Sequence, residues 1–301
     1  MSTEQLDKRI ARLAAANHGV FSRTLAIRAG ATPGMIRARL GSGRWVSMQR
    51  GVYRVAGAPA SWEQQVLAAC LACGPTAVAS HTSAGTLWGF PGITSDALEV
   101  SVPLGRRPRP AGVVVHQTQL GRADVARVGA IPITRPARTL IDLAACVHMN
   151  TLEEVLDDAL RRKLVTVASM TRRIRQAGRR QGLHVLHALV AARDPDEAPP
   201  QSPLETRVLR VIRRGGLPRP VRQFMVTDGR RRAFLDVAWP ELRLAVEVDG
   251  YRHHSGRARW EGDRARQNML TLLGWRIIHV TAADLERPFD VVERIAAALA
   301  S

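Results

Sequence analysis

Apolar residues recur at helical spacing over Leu6, Ile10, Leu13 and Ala14, which predicts a first helix over 6–17, ended by His18-Gly19. Ser22 is a capping type for a second helix through Ala29, stopped by Gly30. Thr32-Pro33 gives an N-cap followed by proline at the first helical position, opening a third helix to about Leu40. Gly41-Ser-Gly43 breaks the chain, and 45–48 and 51–55 read as short strands joined by Gln49-Arg50. Beyond them the pattern predicts a helix over 62–73 and a strand over 77–81 running into a helix over 82–88. Strands follow over 98–102, 112–116 and 131–134, then helices over 135–145, 150–164, 169–176 and 183–192. The last hundred residues read as a helix opening at Ser202 and stopping at Gly215-Gly216, then strands over 221–227, 230–239 and 242–248. Asp228-Gly229 is the hairpin signal between the first two of these strands. A helix over 256–273, a strand over 275–280 and a terminal helical region interrupted by Pro288 complete the chain.

This order predicts an α/β (α+β) protein. A winged helix-turn-helix spans 1–60, an α/β connector 61–193 and a mixed sheet flanked by helices 203–301, with Asp194-Pro-Asp-Glu-Ala-Pro-Pro200 in a linker over 194–202.

Charge sharpens the reading of the first segment. The 301 residues carry a net charge of +18, and a chain this basic points to nucleic acid. Residues 1–60 hold ten Lys or Arg against two Asp or Glu, the densest excess in the chain. Only Lys8 and Lys163 are lysines, so a bias towards arginine explains the choice of cation but not the scarcity of acids here. The third helix would enter the major groove with Met35, Arg37 and Arg39 as readers or phosphate contacts, and Arg44 and Arg50 would lie at the wing. The run from Gly19-Val-Phe-Ser through Ala29-Gly30, with Arg44-Trp45 and Arg50-Gly51-Val52-Tyr53, resembles the N-terminal domain of AbiEi-type antitoxins of type IV toxin–antitoxin systems. That resemblance continues from Ser80-His81 to Arg138-Thr-Leu-Ile-Asp142. It implies operator DNA as a partner and a cognate toxin as another.

The C-terminal segment carries candidate chemistry. Asp236 sits in one apolar strand, and Glu247 and Asp249 in the next, where unpaired acids are costly. Three acids on neighbouring strands point to a cation, while Asp249-Gly250 as a turn and an arginine on a nearby strand as partner for Glu247 are the plainer readings. Glu205 fits both a capping box with Ser202 and a fourth acid for the same ion. Helix, three antiparallel strands, helix, strand, with Asp236 followed by Glu247-Val-Asp249, resembles the restriction-endonuclease-like PD-(D/E)XK nucleases. More narrowly, Glu247-Val-Asp-Gly-Tyr-Arg-His253-His254, Asp263-Arg264 and Leu273-Gly274-Trp275-Arg276 resemble the very-short-patch-repair endonuclease domain. The resemblance implies Mg²⁺ (or Mn²⁺) on Asp236, Glu247, Asp249 and Glu205, hydrolysis of DNA phosphodiesters, and a repair partner. Aspartate stands at position 249 where the general pattern has lysine, so His253 or His254 would serve as base. Arg264 and Arg266 would steady the phosphorane charge, and Arg257 and Arg259 would follow the DNA backbone. The alternative is a regulator or antitoxin-like protein whose nuclease fold is inactive.

The middle segment yields no chemistry from its pattern. His81 at a strand end reads as structural, Glu153, Glu154, Asp157 and Asp158 as a solvated acidic helix face, and Arg106, Arg107 and Arg109 as exposed loop cations. Three cysteines with a lone Cys70-x-x-Cys73 read as buried thiols. No apolar run approaches the ~18 residues of a membrane span, and the N-terminus lacks a signal peptide's apolar core. A cytoplasmic location without membrane contact is expected.

Overall fold

The computed structural model describes residues 3–249 and 257–301. The chain forms two compact units, one built from Met1–Val155 with Ala168–Val190 and the other from Leu156–Val167 with Ala191–Ser301.

The first unit opens with α1 (Thr3–Ala15), β1 (Val20–Ser22), α2 (Arg23–Arg28), α3 (Pro33–Gly41), β2 (Trp45–Gln49) and β3 (Val52–Val55). Ser22 caps α2 by accepting from Leu25 N at 3.1 Å, and Thr32 caps α3 by accepting from Met35 N at 3.2 Å. β1 is a strand that the pattern did not predict. It pairs antiparallel with β3, placing Phe21 opposite Tyr53, and the sheet runs β1-β3-β2. Phe21 meets Trp45 edge-on with ring centroids 4.8 Å apart, and both are buried with Leu6, Ile10, Ile36 and Tyr53. This three-helix, wing-bearing arrangement is the predicted winged helix-turn-helix.

The same unit continues through α4 (Trp62–Cys73), which Ser61 caps through Gln64 N at 3.1 Å. Val66, Leu67, Cys70 and Cys73 of α4 share a core with Val20 and Val52 of the winged helix and with a five-stranded sheet. That sheet comprises β4 (Val78–Ala79), β5 (Leu98–Val102), β6 (Val113–Gln117), β7 (Val125–Val128) and β8 (Ile131–Thr134), ordered β6-β5-β4-β8-β7. α5 (His81–Leu87), α6 (Pro136–Leu143), the first half of α7 (Met149–Arg161), α8 (Val167–Gln176) and α9 (Leu183–Ala191) complete the region, and α7 from Leu156 onward belongs to the second unit. Cys70 and Cys73 are free and buried, and Cys146 is free and exposed.

The acidic face of α7 corrects the solvated reading: Glu153, Asp157 and Asp158 are 3%, 2% and 6% exposed. Arg193 grips Asp157 with Nε–Oδ1 at 2.9 Å and Nη2–Oδ2 at 3.0 Å, and Arg161 and Arg162 hold Asp158. Ion pairing makes the burial of Asp157 and Asp158 tolerable.

The second unit holds α10 (Pro203–Arg214), β9 (Val221–Thr227), β10 (Arg232–Trp239), β11 (Leu244–Asp249), α11 (Arg257–Leu272), β12 (Arg276–Thr281) and α12 (Pro288–Ala300). The sheet runs β12-β11-β10-β9, antiparallel except for the parallel β11–β12 pair. One core joins α10 and α12 to the sheet through Val208, Ile212, Val237, Val246, Val291 and Ile295. The other joins α11 through Met269 and Leu270 to Leu235 and Ala245. Pro288 opens α12 at its first position rather than interrupting it, where its missing N–H is harmless. The whole is a mixed α+β protein, as the pattern predicts. Among the described residues no helix is long and apolar enough to cross a membrane.

Candidate functional sites

On α3 the alternation of faces decides which side chains can meet DNA. Ile36 and Arg39 point inward at 2% and 4% exposure. Arg39 donates to Asp7 Oδ1 at 2.6 Å and to the Met35 carbonyl at 3.2 Å, and its guanidinium lies 5.4 Å from the Trp45 ring centre. Arg39 is therefore a packing residue, which corrects its placement among the DNA contacts. Met35 is half-buried against the same core. Arg37 is exposed and flanked by the exposed Gly34 and Ala38, so the outer face of α3 is small apart from one cation. Arg50 is exposed at the wing turn, and Arg44 is 62% exposed while reaching Asp7 Oδ2 at 3.3 Å.

In the second unit, Asp236 stands where β10 changes facing. Ala233 and Leu235 pack on the α11 side, whereas Val237 and Trp239 belong to the core with α10 and α12. Gln223, beside Asp236 on β9, takes a left-handed φ of +48° and donates through its amide to Asp236 Oδ1 at 3.2 Å. Asp236 Oδ2 accepts from Val248 N at 3.0 Å, extending the β10–β11 pairing beyond Val237–Val246. Burial pushes the Asp236 carboxyl up, aided by the charge of Glu247, against the bonds from Val248 and Gln223 and the charge of Arg266. Glu205, 6% exposed, is raised first by burial and then by the charge of Asp236. It also caps its helix, donating its N–H to Ser202 Oγ at 3.1 Å and accepting from Gln201 N at 2.7 Å.

Glu247 is held by Arg266 of α11, with Nη1–Oε2 at 2.8 Å and a second contact from Nη2 to Oε1. Asp249 is 54% exposed and faces His279 of β12, Oδ2 to Nδ1 at 2.9 Å. Asp236, Glu205 and Glu247 thus share one electrostatic environment, while Asp249 is turned to a partner of its own. Among the described residues these four acids do not supply three ligand atoms within 4.8 Å of one another. Arg264 lies on the exposed side of α11. His253 and His254, and the side chains of Arg257 and Arg259, lie outside the described residues.

A group that sequence reasoning did not assemble is His81, Glu99 and His116 in the first unit, whose ligand atoms do meet that distance criterion. The available signal was an acid and a histidine inside the apolar strands β5 and β6, the same logic that singled out Asp236. Burial holds the His81 imidazole below its usual value, with the field of Asp142 opposing. Burial pushes the Glu99 carboxyl up, but hydrogen bonds from His116 and Thr82 outweigh it and bring it to about 2.

Residues 8–56 match the family described as "Transcriptional regulator, AbiEi antitoxin". The solved structure titled "Crystal structure of RV2827C protein from Mycobacterium tuberculosis" aligns with a TM-score of 0.43 at 17% identity, over 63% of this chain and 82% of that one. Uncharacterized protein MT2308 of Mycobacterium tuberculosis (strain CDC 1551 / Oshkosh) is 30% identical over 226 residues, 74% of this chain and 81% of that protein. Uncharacterized protein Rv2248 of Mycobacterium tuberculosis (strain ATCC 25618 / H37Rv) matches with the same identity and the same coverage. The chain belongs to the family of these two mycobacterial proteins.

Proposed function

We propose that the protein is a DNA-binding transcriptional regulator of the antitoxin kind. Its α3 enters the major groove, and its wing lies against the neighbouring backbone. The observation that carries this reading is the partition of α3, where Arg39 is spent on the core and Arg37 is left outward beside Gly34 and Ala38. A small outer face lets a helix lie deep in the groove, and a single arginine suits a bidentate contact with guanine. The match of residues 8–56 supports the same role. A cognate toxin is the protein partner this reading implies. In fluorescence anisotropy with duplexes selected from a random library, Arg37→Ala is expected to relax specificity at one or two positions. Arg50→Ala should weaken binding uniformly and lower the salt slope by about 1. Absence of binding by the wild-type protein at low salt, or equal binding by both variants, rejects the proposal.

A second reading is a Mg²⁺- or Mn²⁺-dependent nuclease. The half-buried Asp236 and the buried Glu205 favour it, since burial raises both carboxyls and the charge of Asp236 raises Glu205 further, next to a strained Gln223. Asp236 and Glu205 would hold the ion, with Glu247 released from Arg266, and His253 or His254 would accept the proton. The ion would polarise phosphate and acidify water. The Arg266–Glu247 pair weighs against this reading, because it balances the charge of one acid without a metal. Supercoiled plasmid and single-stranded DNA or RNA, incubated with Mg²⁺, Mn²⁺ or chelator, decide between the two. Cleavage lost in Asp236→Ala supports the enzyme, and no difference between that variant and the wild type leaves the regulator.

A further inference from the structure

His81, Glu99 and His116 come together from three elements of the first unit. His81 opens α5 with a left-handed φ of +50°. Glu99 lies on β5 and His116 on β6, where the parallel register sets Ser101 opposite His116 and Glu99 two residues earlier on the same face. The carboxylate Oε1 of Glu99 is 3.0 Å from His116 Nε2. Its Oε2 accepts from the Thr82 amide at 2.8 Å and from the Thr82 hydroxyl. His81 Nδ1 lies 3.0 Å from Ser80 Oγ, leaving Nε2 as its ligand atom. His81 and Glu99 are therefore each oriented by a neighbour outside the trio, as metal ligands are, and His116 by Glu99 within it. The two imidazoles stack with centroids 3.6 Å apart and planes 21° from parallel, a pairing in which neither ring satisfies the other's nitrogens.

Asp142 supplies an independent observation. It is 4% exposed, and Arg138 Nε holds its Oδ1 at 2.8 Å. Its Oδ2 is buried without a hydrogen-bond partner among the described residues. Its negative charge acts on His81. A buried carboxylate oxygen left unpaired is costly, and a nearby cation relieves that cost.

We propose that His81, Glu99 and His116 bind a divalent transition-metal ion of the zinc class, with three protein ligands and a position left for water. Two imidazoles and a carboxylate are the donor set zinc takes, whereas Mg²⁺ and Ca²⁺ take oxygen throughout. Nearly parallel rings aim their lone pairs side by side. The ion therefore tilts the stacked pair apart and displaces the His116–Glu99 hydrogen bond. This site is separate from the DNA-binding reading and stands or falls without it.

The test is titration of chelator-treated, full-length protein with Co²⁺, followed by competition with Zn²⁺. One equivalent of Co²⁺ is expected to give a visible absorption band that Zn²⁺ abolishes. His116→Phe keeps a ring against His81 and removes the nitrogen ligand. Glu99→Gln keeps an acceptor for the Thr82 amide and removes the charge. Each is expected to weaken binding by more than the roughly 100-fold of an outer-shell change, while Cys146→Ser leaves the band intact. ¹⁵N spectra of the wild-type histidines, recorded with and without Zn²⁺, read His81 and His116 directly, so a variant that fails to fold does not leave the question open. Three results overturn the proposal: no stoichiometric uptake by wild type with unmoved histidine signals, folded variants that bind as wild type does, or binding that disappears with Cys146→Ser.

Discussion

Arg266 grips Glu247 with both terminal nitrogens: Nη1 donates to Oε2 at 2.8 Å, while Nη2 donates to Oε1 and to the Phe234 carbonyl at 3.0 Å. The pair ties α11 to β10 and β11 at once and neutralises the acid whose charge raises Asp236. Removing the guanidinium leaves Glu247, 12% exposed, facing a second carboxyl without the charge that offsets their repulsion. Arg266→Ala is expected to destabilise the second unit by about 1–3 kcal/mol. Arg266→Lys should recover little, because one ammonium cannot reproduce a fork that meets two carboxylate oxygens and a carbonyl. Urea midpoints of the three proteins check this, and an unmoved midpoint in Arg266→Ala would show that the pair contributes nothing.

Arg37 and Arg39 lie two positions apart on one helix and should fail in different ways. Arg39→Ala removes a 2.6 Å ion pair with Asp7, a bond to the Met35 carbonyl and the contact with Trp45. It is expected to cost about 1–3 kcal/mol of stability. Arg37→Ala touches only an exposed side chain and should leave the melting temperature within a degree or so of wild type, since surface changes of this kind stay within about 0.5 kcal/mol. Its effect belongs in DNA binding. Thermal melts run beside anisotropy separate the two, and a stability loss in Arg37→Ala would mean that the outward face has been misassigned.

Local chemistry made the element order legible. Ser22, Thr32 and Ser202 each accept the capping bond that their sequence positions announce. β1 escaped because three residues carry too little alternation, and its existence depends on pairing with β3, thirty residues on. The inward turn of Arg39 was readable, since it follows the buried Ile36 by three residues on one helix face. The acidic face of α7 was not, because a charged stripe looks the same whether solvated or paired, and Arg193 arrives from 36 residues away. Asp236 and Glu247 were legible as neighbours, and the arginine partner weighed for Glu247 does exist, but Arg266 brings it from helix α11 rather than from a nearby strand. His81, Glu99 and His116 sit on three separate segments whose convergence follows from the sheet order β6-β5-β4.

The Asp157–Arg193 pair joins α7 to the chain beyond α9, with side chains 3% and 10% exposed. A buried pair contributes little relative to an apolar replacement, yet removing one member strands the other. Arg193→Ala is therefore expected to destabilise by about 3–5 kcal/mol. Asp157→Leu combined with Arg193→Met should recover most of that loss. A double-mutant cycle in urea measures the coupling, and a double variant as unstable as the sum of its singles would contradict the account.

Asp284 sets the direction of one pH dependence. It accepts from the Thr281 hydroxyl at 2.6 Å, from the Thr281 amide at 2.8 Å and from Arg294 Nη2 at 2.9 Å, fastening the end of β12 to α12. These bonds, the hydroxyl first, hold its carboxyl at about 2, down from 3.8. The native state then takes up a proton less readily than the unfolded chain does, so the stabilisation is complete above the unfolded value and is lost as pH falls towards the native one. Asp284→Asn should accordingly be less stable than wild type at neutral pH. The gap should narrow as pH drops through the window from 3.8 to about 2 and close below it. The Asp284 and Arg294 side chains are 29% and 44% exposed, so salt will shrink the part due to Arg294 and spare the part due to Thr281. Urea midpoints of both proteins from neutral pH downwards, at two ionic strengths, test each half. A gap that stays constant with pH would mean that the ionised carboxylate is not what holds this corner of the fold.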